Sequence, residues 1–393
     1  LWVGHLLILP FLLGIVWQLF LLSRKMLPPS LRDAGFFLAL LDPTLLSQGS
    51  MVSPDVILLF AWLYGLNGLL FRKHFHMVPA TVLMLTVSFR GVLCLVPFFL
   101  LDFYLSWLRN EKLEFIRRAW MYIPAAALVI AWLILHYNVS GNFLAGSGSE
   151  YEGHRKMVGF SEMLRNAGII AWRILDFGRI AFWILLFAVV AFRLKRKEIP
   201  GREEVKLSLS FLFPAFFLAA MFIPFSNPVS HRYFLICFPV IALLSVRMLL
   251  YISDLWIRRI AIFALAVVSI SGNFWIYPDH IAKGWDSTLA HFPYFGLKDK
   301  MVEFIDSQEI EYQDVCADFP TRGGRAATHL ADGDLVMFPS VNETGLQRCR
   351  YILQSNVNNG FTDEELSALK HDWILEKEFR NWWMYMRLYS HPD

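Results

Sequence analysis

Long apolar runs alternate with short clusters of charge over residues 1–277. A helix needs about 20 apolar residues to cross a bilayer, and fewer where it is short or locally buried. The pattern predicts spans over 1–22, 33–50, 54–71, 77–88, 91–108, 120–138, 169–192, 207–224, 231–252 and 259–277. The stretch 77–108 is too long for one comfortable helix and is interrupted at Ser88, Phe89, Arg90 and Gly91.

Charge decides how that stretch is read. Short cytoplasmic loops carry an excess of Lys and Arg. Every second connection here is basic: Arg24–Lys25, Arg72–Lys73, Arg109 to Arg118, Arg193 to Lys206, and Arg258–Arg259. All five clusters fall on one side only if residues 77–108 cross twice, as two short helices meeting near Arg90 on the outer side. The same parity puts Leu1 and the whole C-terminal region outside the cytoplasm. The opening LWVGHLLILP has no initiator Met, no basic flank and no small-residue cleavage site, so it does not read as a signal peptide. Residues preceding Leu1, including at least one further span, are expected.

Composition agrees with a membrane protein. Hydrophobic residues make up 56% and charged residues 18%, against about 45–50% and about 25% in soluble domains. A net charge of +3 is too small to point to nucleic acid. From residue 278 onward the composition becomes that of a soluble domain. LKDKMVEFIDSQ reads as a helix; YQDVCADF, DLVMFPSV and RYILQSNV read as strands; TDEELSALKHD reads as a capped helix; and WILEKEFRNWWMYMRLYS reads as a hairpin turning at Arg380–Asn381. The predicted architecture is therefore an α-helical polytopic membrane domain over 1–277 and an extracytoplasmic α/β domain over 278–393. The second has no Gly-rich nucleotide loop, metal spacing or nucleophile motif, which assigns it to packing or acceptor recognition. Cys316 and Cys349 both lie there and are expected to pair in an oxidising compartment.

Candidate chemistry gathers where cations stand against the charge bias, since such a cation asks for an anionic partner. In NPVSHRYF, a helix starting near Ser230 would offer free N–H groups to a phosphate. Arg232 adds a forked donor, flanked by His231 and by Tyr233, which suits the membrane interface; a plain interfacial anchor is the bland alternative. Arg90 sits at a helix break, where an ionisable residue is a functional candidate unless it merely snorkels. Asp55 opens the third span, a position that the helix dipole also favours. Asp42 precedes Pro43 and suits freed backbone or a cavity. The loop 139–166 carries Glu150, Glu152, His154, Arg155 and Lys156 in a glycine-rich setting; these offer base and phosphate candidates, but no identifiable metal site. Arg173, Asp176 and Arg179, three apart, read as a ladder of ions along one helical face.

Three of these motifs carry a family resemblance. LALLDPTLLSQGSMVSPDVILLF, TVSFRGVLCLVPFFLL and HRYFLICFPVIALL, in that order, are similar to segments of the GT-C fold glycosyltransferases. That superfamily includes the protein O-mannosyltransferases and the lipid A aminoarabinose transferase. Arg90 stands where a lysine is common. The resemblance implies transfer of a hexose or pentose from a polyprenyl-phosphate donor to a lipid, glycan or protein acceptor outside the bacterial inner membrane, with inversion at the anomeric carbon. Arg90, Arg232 and His231 would steady the departing phosphate, with Tyr233, Arg155 and Lys156 as further donor-side candidates. Asp55 would hold the catalytic loop or a divalent metal. The family's main carboxylate follows its first span, so the general base is expected before Leu1; Glu150, Glu152 and His154 are the other candidates. Rival readings are a lipid-linked glycan flippase or transporter, an O-antigen ligase or polymerase, and a membrane-anchored binding protein.

Overall fold

A computed structural model describes all residues except 1, 142–155, 227–228, 279–285, 324–335, 358–360, 382 and 393. The chain divides into a helical unit, Val3–Gly272, and a mixed unit, Asn273–Asp393. The division falls five residues before the boundary expected from composition.

The helical unit contains α1 (Trp2–Met26), α2 (Arg32–Leu40), α3 (Pro43–Ser50), α4 (Pro54–Leu70), α5 (Met77–Val87), α6 (Phe89–Leu108), α7 (Lys112–Arg118), α8 (Ile123–Ser140), α9 (Phe160–Leu175), α10 (Ile180–Lys195), α11 (Arg202–Phe222), α12 (Phe238–Met248) and α13 (Leu255–Gly272). Five stretches are long and apolar enough to cross a membrane: Val3–Met26, Arg90–Leu108, Lys112–Ser140, Arg202–Phe222 and Leu255–Gly272; the bent pair α9–α10 would make a sixth. Helices α4, α5 and α12 are apolar but shorter. The 17 residues of α4 reach roughly 25 Å, less than a typical hydrocarbon core. Only 6% of the apolar window in Lys112–Ser140 is buried against protein. Ile130, Ile134, Leu135 and Val139 are exposed along α8. Apolar surface of that extent points to a membrane protein.

Three predicted spans are interrupted. The stretch 33–50 breaks at Asp42, which caps α3 by accepting from the Thr44 and Leu45 N–H groups at 3.0 Å each; Pro43 follows as the first helical residue. The stretch 169–192 bends by 91° between α9 and α10. Phe177 (φ 52°) and Gly178 (φ 85°) both take left-handed backbone there. A Cβ at Gly178 would lie 2.4 Å from the Val268 carbonyl oxygen, so conformation and space both demand glycine. In 231–252 the α-helix begins at Phe238, with His231–Phe234 forming a separate 3-10 turn. The helix start expected near Ser230 is therefore a single 3-10 turn with Ser230 at its N-cap rather than the first turn of a long α-helix.

In the mixed unit, α14 (Phe292–Ser307) precedes a four-stranded sheet of β1 (Val315–Ala317), β2 (Tyr351–Ser355), β3 (Ile374–Asn381) and β4 (Met384–Ser390), in the order β1-β2-β4-β3. The β1–β2 pair is parallel and the other two are antiparallel. Alternate strand residues face opposite ways. Val315, Leu353, Met386 and Leu388 pack with Met301, Val302 and Ile305 of α14. Cys316, Ile352 and Tyr389 pack with Leu369 and Trp373 on the other face. Helix Asp363–His371, which supplies Leu369, starts in a capping box of Thr362 and Glu365.

Two details differ from expectation. Arg380 and Asn381 are the last paired residues of β3 rather than the hairpin turn, since Asn381 pairs with Met384. Within DLVMFPSV the described residues make only isolated bridges, Met337 to Gly323 and Ser340 to Ala317. Pro339 between them has no N–H to extend a ladder.

Cys316 and Cys349 form a disulfide that joins β1 to the approach to β2 across 33 residues. Closing a loop of that length constrains the unfolded chain by about 3–4 kcal/mol. Cys316→Ser with Cys349→Ser is therefore expected to lower the urea midpoint of this unit, and an unchanged midpoint would rule out the stabilising role. Burial of Lys298 on α14 lowers its pKa from 10.5 to about 8, although Asp299 opposes the shift. The charge penalty is present in full below about pH 8 and is relieved as pH rises toward 10.5, so stability rises through that window. Lys298→Met is expected to raise the unfolding temperature at pH 7, with the advantage shrinking at higher pH. A constant difference across that range would refute this account.

Candidate functional site

Three distant segments meet at Asp55. Ser53 caps α4 by accepting from the Asp55 N–H at 3.2 Å, and its own hydroxyl donates to Gln48 Oε1 at 2.5 Å. This fixes the first turn of α4, where Pro54 is tolerated and a carboxylate is favoured. Asp55 is 2% exposed.

Arg90 arrives from the junction between α5 and α6. Ser88 is extended (φ −163°, ψ 157°), which breaks the helix and folds the chain back. A Cβ at Gly91 would lie 1.7 Å from the Met84 carbonyl oxygen, so only glycine permits so close a return. The Arg90 Nη1 lies 2.5 Å from Asp55 Oδ1. Arg232, on the His231–Phe234 turn, brings its Nε to 3.7 Å from Asp55 Oδ2. The Arg90 guanidinium lies 4.6 Å from the centroid of the Tyr233 ring, which stacks on Phe222 at 5.1 Å. Arg232 keeps about a third of its side chain exposed, 32% against 17% for Arg90, and so forms the open edge of the cluster.

Buried carboxylates cost several kcal/mol of desolvation unless paired with good geometry. Here one carboxylate orients two guanidiniums, and one of these also lies on an aromatic face. Each Arg offers five N–H donors in a planar fork suited to phosphate oxygens. The arrangement can therefore present donors to an anion at the Arg232 edge.

His231 does not share that position. Its ring is fully buried, with Nε2 2.8 Å from Asp176 Oδ2 and the Phe177 ring 4.5 Å away. A side chain sealed in this way cannot contact a phosphate ligand, and it ties the Arg232 turn to the α9–α10 corner instead. The expected ladder of Arg173, Asp176 and Arg179 is likewise replaced, because α9 ends at Leu175. Arg173 donates to the Val229 carbonyl, Asp176 meets His231, and Arg179 turns toward Asp42. The Arg179–Asp42 pair is bidentate at 2.7 and 2.9 Å, with Thr44 Oγ1 at 2.5 Å and the Phe238 ring centroid 3.6 Å from the guanidinium. The only clue to this contact in the sequence is the helix-breaking Phe177–Gly178 inside an apolar run.

Glu150, Glu152, His154 and Arg155 lie outside the described residues. Lys156 is exposed; its carbonyl accepts from the Ser226 N–H at 3.0 Å, which holds this loop end beside the strand-like approach to the Arg232 turn. No three His, Cys, Asp or Glu side chains come together among the described residues in a way that could hold a metal ion. At Asp55 one carboxylate oxygen lies beside the Arg90 guanidinium and the other beside that of Arg232. No known protein family, curated protein or solved structure matches the chain.

Breaking a buried pair leaves a buried charge behind, at about 3–5 kcal/mol. Arg179→Met is expected to lower the thermal unfolding temperature sharply, and adding Asp42→Asn to recover part of the loss. Additive losses in the double variant would show that the two side chains do not act as a pair.

Proposed function

We propose that the chain is a membrane glycosyltransferase that moves a sugar from a polyprenyl-phosphate donor to an acceptor on the extracytoplasmic side of a bacterial inner membrane. The observation that carries this reading is the convergence of Asp55, Arg90, Arg232 and Tyr233 from the starts of α4 and α6 and from the 231–234 turn. As the bond between the anomeric carbon and the phosphate oxygen breaks, the leaving phosphate gains negative charge. Preorganised guanidinium forks stabilise that charge more than they stabilise the intact donor, and this difference is what lowers the barrier.

In this reading Arg232 contacts the phosphate, Arg90 supplies the second fork, and Asp55 orients both. Deprotonating the acceptor falls to another group, because a carboxylate 2% exposed between two guanidiniums is poorly placed to reach an acceptor. The polyprenyl chain would lie in hydrocarbon beside the apolar helices.

Sidedness is supported by two observations. Asp55 and Arg90 open α4 and α6, whereas Arg72 and Arg109 follow their far ends, where the basic loops gather. The disulfide of the C-terminal unit suits an oxidising compartment.

With purified protein, a polyprenyl-phosphate pentose or hexose and a bacterial envelope extract supplying acceptor hydroxyls, wild type is expected to release polyprenyl phosphate as the sugar passes to the acceptor. Arg232→Ala is expected to lose about 10²–10³ in turnover with an unchanged unfolding temperature. Wild-type turnover in that variant would sink the phosphate role. Movement of intact donor across the bilayer without cleavage would favour a flippase.

A further inference from the structure

At the other ends of α4 and α6, away from Asp55, a cavity of about 600 Å³ opens between the α4 and α6 termini and the start of α11. Arg72, Arg109, Arg202 and Lys206 line it, with aliphatic side chains that include Leu105 and Val205. No carboxylate belongs to this lining among the described residues. Two of the cations are partly neutralised from outside it: Arg72 pairs with Glu111, and Lys206 meets Glu203 at 2.9 Å. Arg109 donates to the Leu69 and Leu70 carbonyls at 3.3 and 3.4 Å, closing the end of α4 while its charge stays at the cavity wall. Arg202 makes no ion pair among the described residues and is the first residue of α11, with Gly201 as its N-cap.

We propose that this cavity binds the head group of an anionic phospholipid. Four cations surround one space and only two of them meet a carboxylate, so an excess of positive charge remains that favours an anion among them. The aliphatic part of the lining is what distinguishes a lipid from a free ion, because an acyl chain can continue along it into hydrocarbon. Helix α6 runs from Arg90 to this cavity over roughly 28 Å. That is close to the thickness of a hydrocarbon core and puts the basic ring at head-group depth. Basic pockets between membrane helices on the side rich in Lys and Arg are suited to anionic head groups. The inference does not rest on the transferase reading, since none of Asp55, Arg90 or Arg232 lines the cavity and none needs a catalytic role.

The test is native mass spectrometry of the full chain in detergent, with phosphatidylglycerol and phosphatidylcholine supplied together in equal amounts. Wild type is expected to retain phosphatidylglycerol preferentially. Arg72→Gln with Arg202→Gln and Lys206→Gln is expected to lose that preference by about ten- to a hundredfold. Lys195→Gln with Arg196→Gln and Lys197→Gln removes the same charge from exposed positions outside the lining and is expected to keep the preference. Should the lining triple fail to fold, Arg202→Gln alone decides the matter, with a several-fold loss expected. Equal loss in both triples, an unaltered preference in Arg202→Gln, or no preference in wild type would overturn the proposal. Displacement of the lipid by millimolar inorganic phosphate at constant ionic strength would assign the cavity to a soluble phosphate and would overturn it too.

Discussion

A charge buried among apolar helices must meet its partner inside the protein, and this requirement organises the helical unit. Five carboxylates are buried there among the described residues: Asp42, Asp55, Asp102, Asp176 and Glu204. Four of them meet arginines from another helix or turn, namely Arg179, Arg90 with Arg232, Arg118 and Arg193, and the fifth, Asp176, is hydrogen-bonded to the buried His231 ring. Apolar packing alone is non-directional and tolerates sliding. A buried ion pair does not, because a shift of a few ångströms exposes both ions to an uncompensated desolvation cost. The pairs therefore set which helices touch and at what depth, while the hydrophobic core fills the space between them.

The pairs fall into two levels that match the two ends of the helices. Asp42, Asp55 and Asp176 lie where α3, α4 and the α9–α10 corner begin or turn. Asp102 with Arg118, and Glu204 with Arg193, lie toward the ends where the basic connections gather. Tyr122 donates to Asp102 at 3.0 Å and Tyr251 to Glu204 at 2.6 Å, so both pairs at the basic end are completed by a phenol. A buried pair is dependable only when its remaining lone pairs are also satisfied. In contrast, the Asp55 cluster keeps Arg232 partly exposed, and this combination of a rigid interior and an accessible edge makes it the candidate for chemistry.

Hydropathy and charge parity made much of this legible in the sequence. The helix ends near Arg24, Arg72 and Arg109, the break at Arg90, two helices and the four paired strands of the C-terminal unit and the cysteine pair follow from local signals, whereas the strand expected over DLVMFPSV forms only isolated bridges among its described residues. Asp55, Arg90, Arg232 and Tyr233 each stood out singly, as charges against a bias or as interfacial residues, but their meeting did not. Their contacts join positions 35 to 177 residues apart, and one sequence carries no record of such separations. Breaks inside apolar runs were also hidden. Asp42–Pro43 and Phe177–Gly178 each interrupt an otherwise apolar run over only two residues, and the 3-10 turn at His231–Phe234 directly adjoins the apolar helix that follows it. Three-residue spacing suggested a ladder at Arg173, Asp176 and Arg179 only because the helix was assumed to continue.

The corner between α9 and α10 does more than bend the chain. Asp176, on one side of Phe177–Gly178, holds the ring of His231, whose neighbour is Arg232; Arg179, on the other, grips Asp42 at the start of α3. Four consecutive residues are thus fastened to two remote parts of the fold, with no slack between the fastenings. An insertion or deletion there would rotate one of these side chains away from its partner. During divergence, the corner should keep its length.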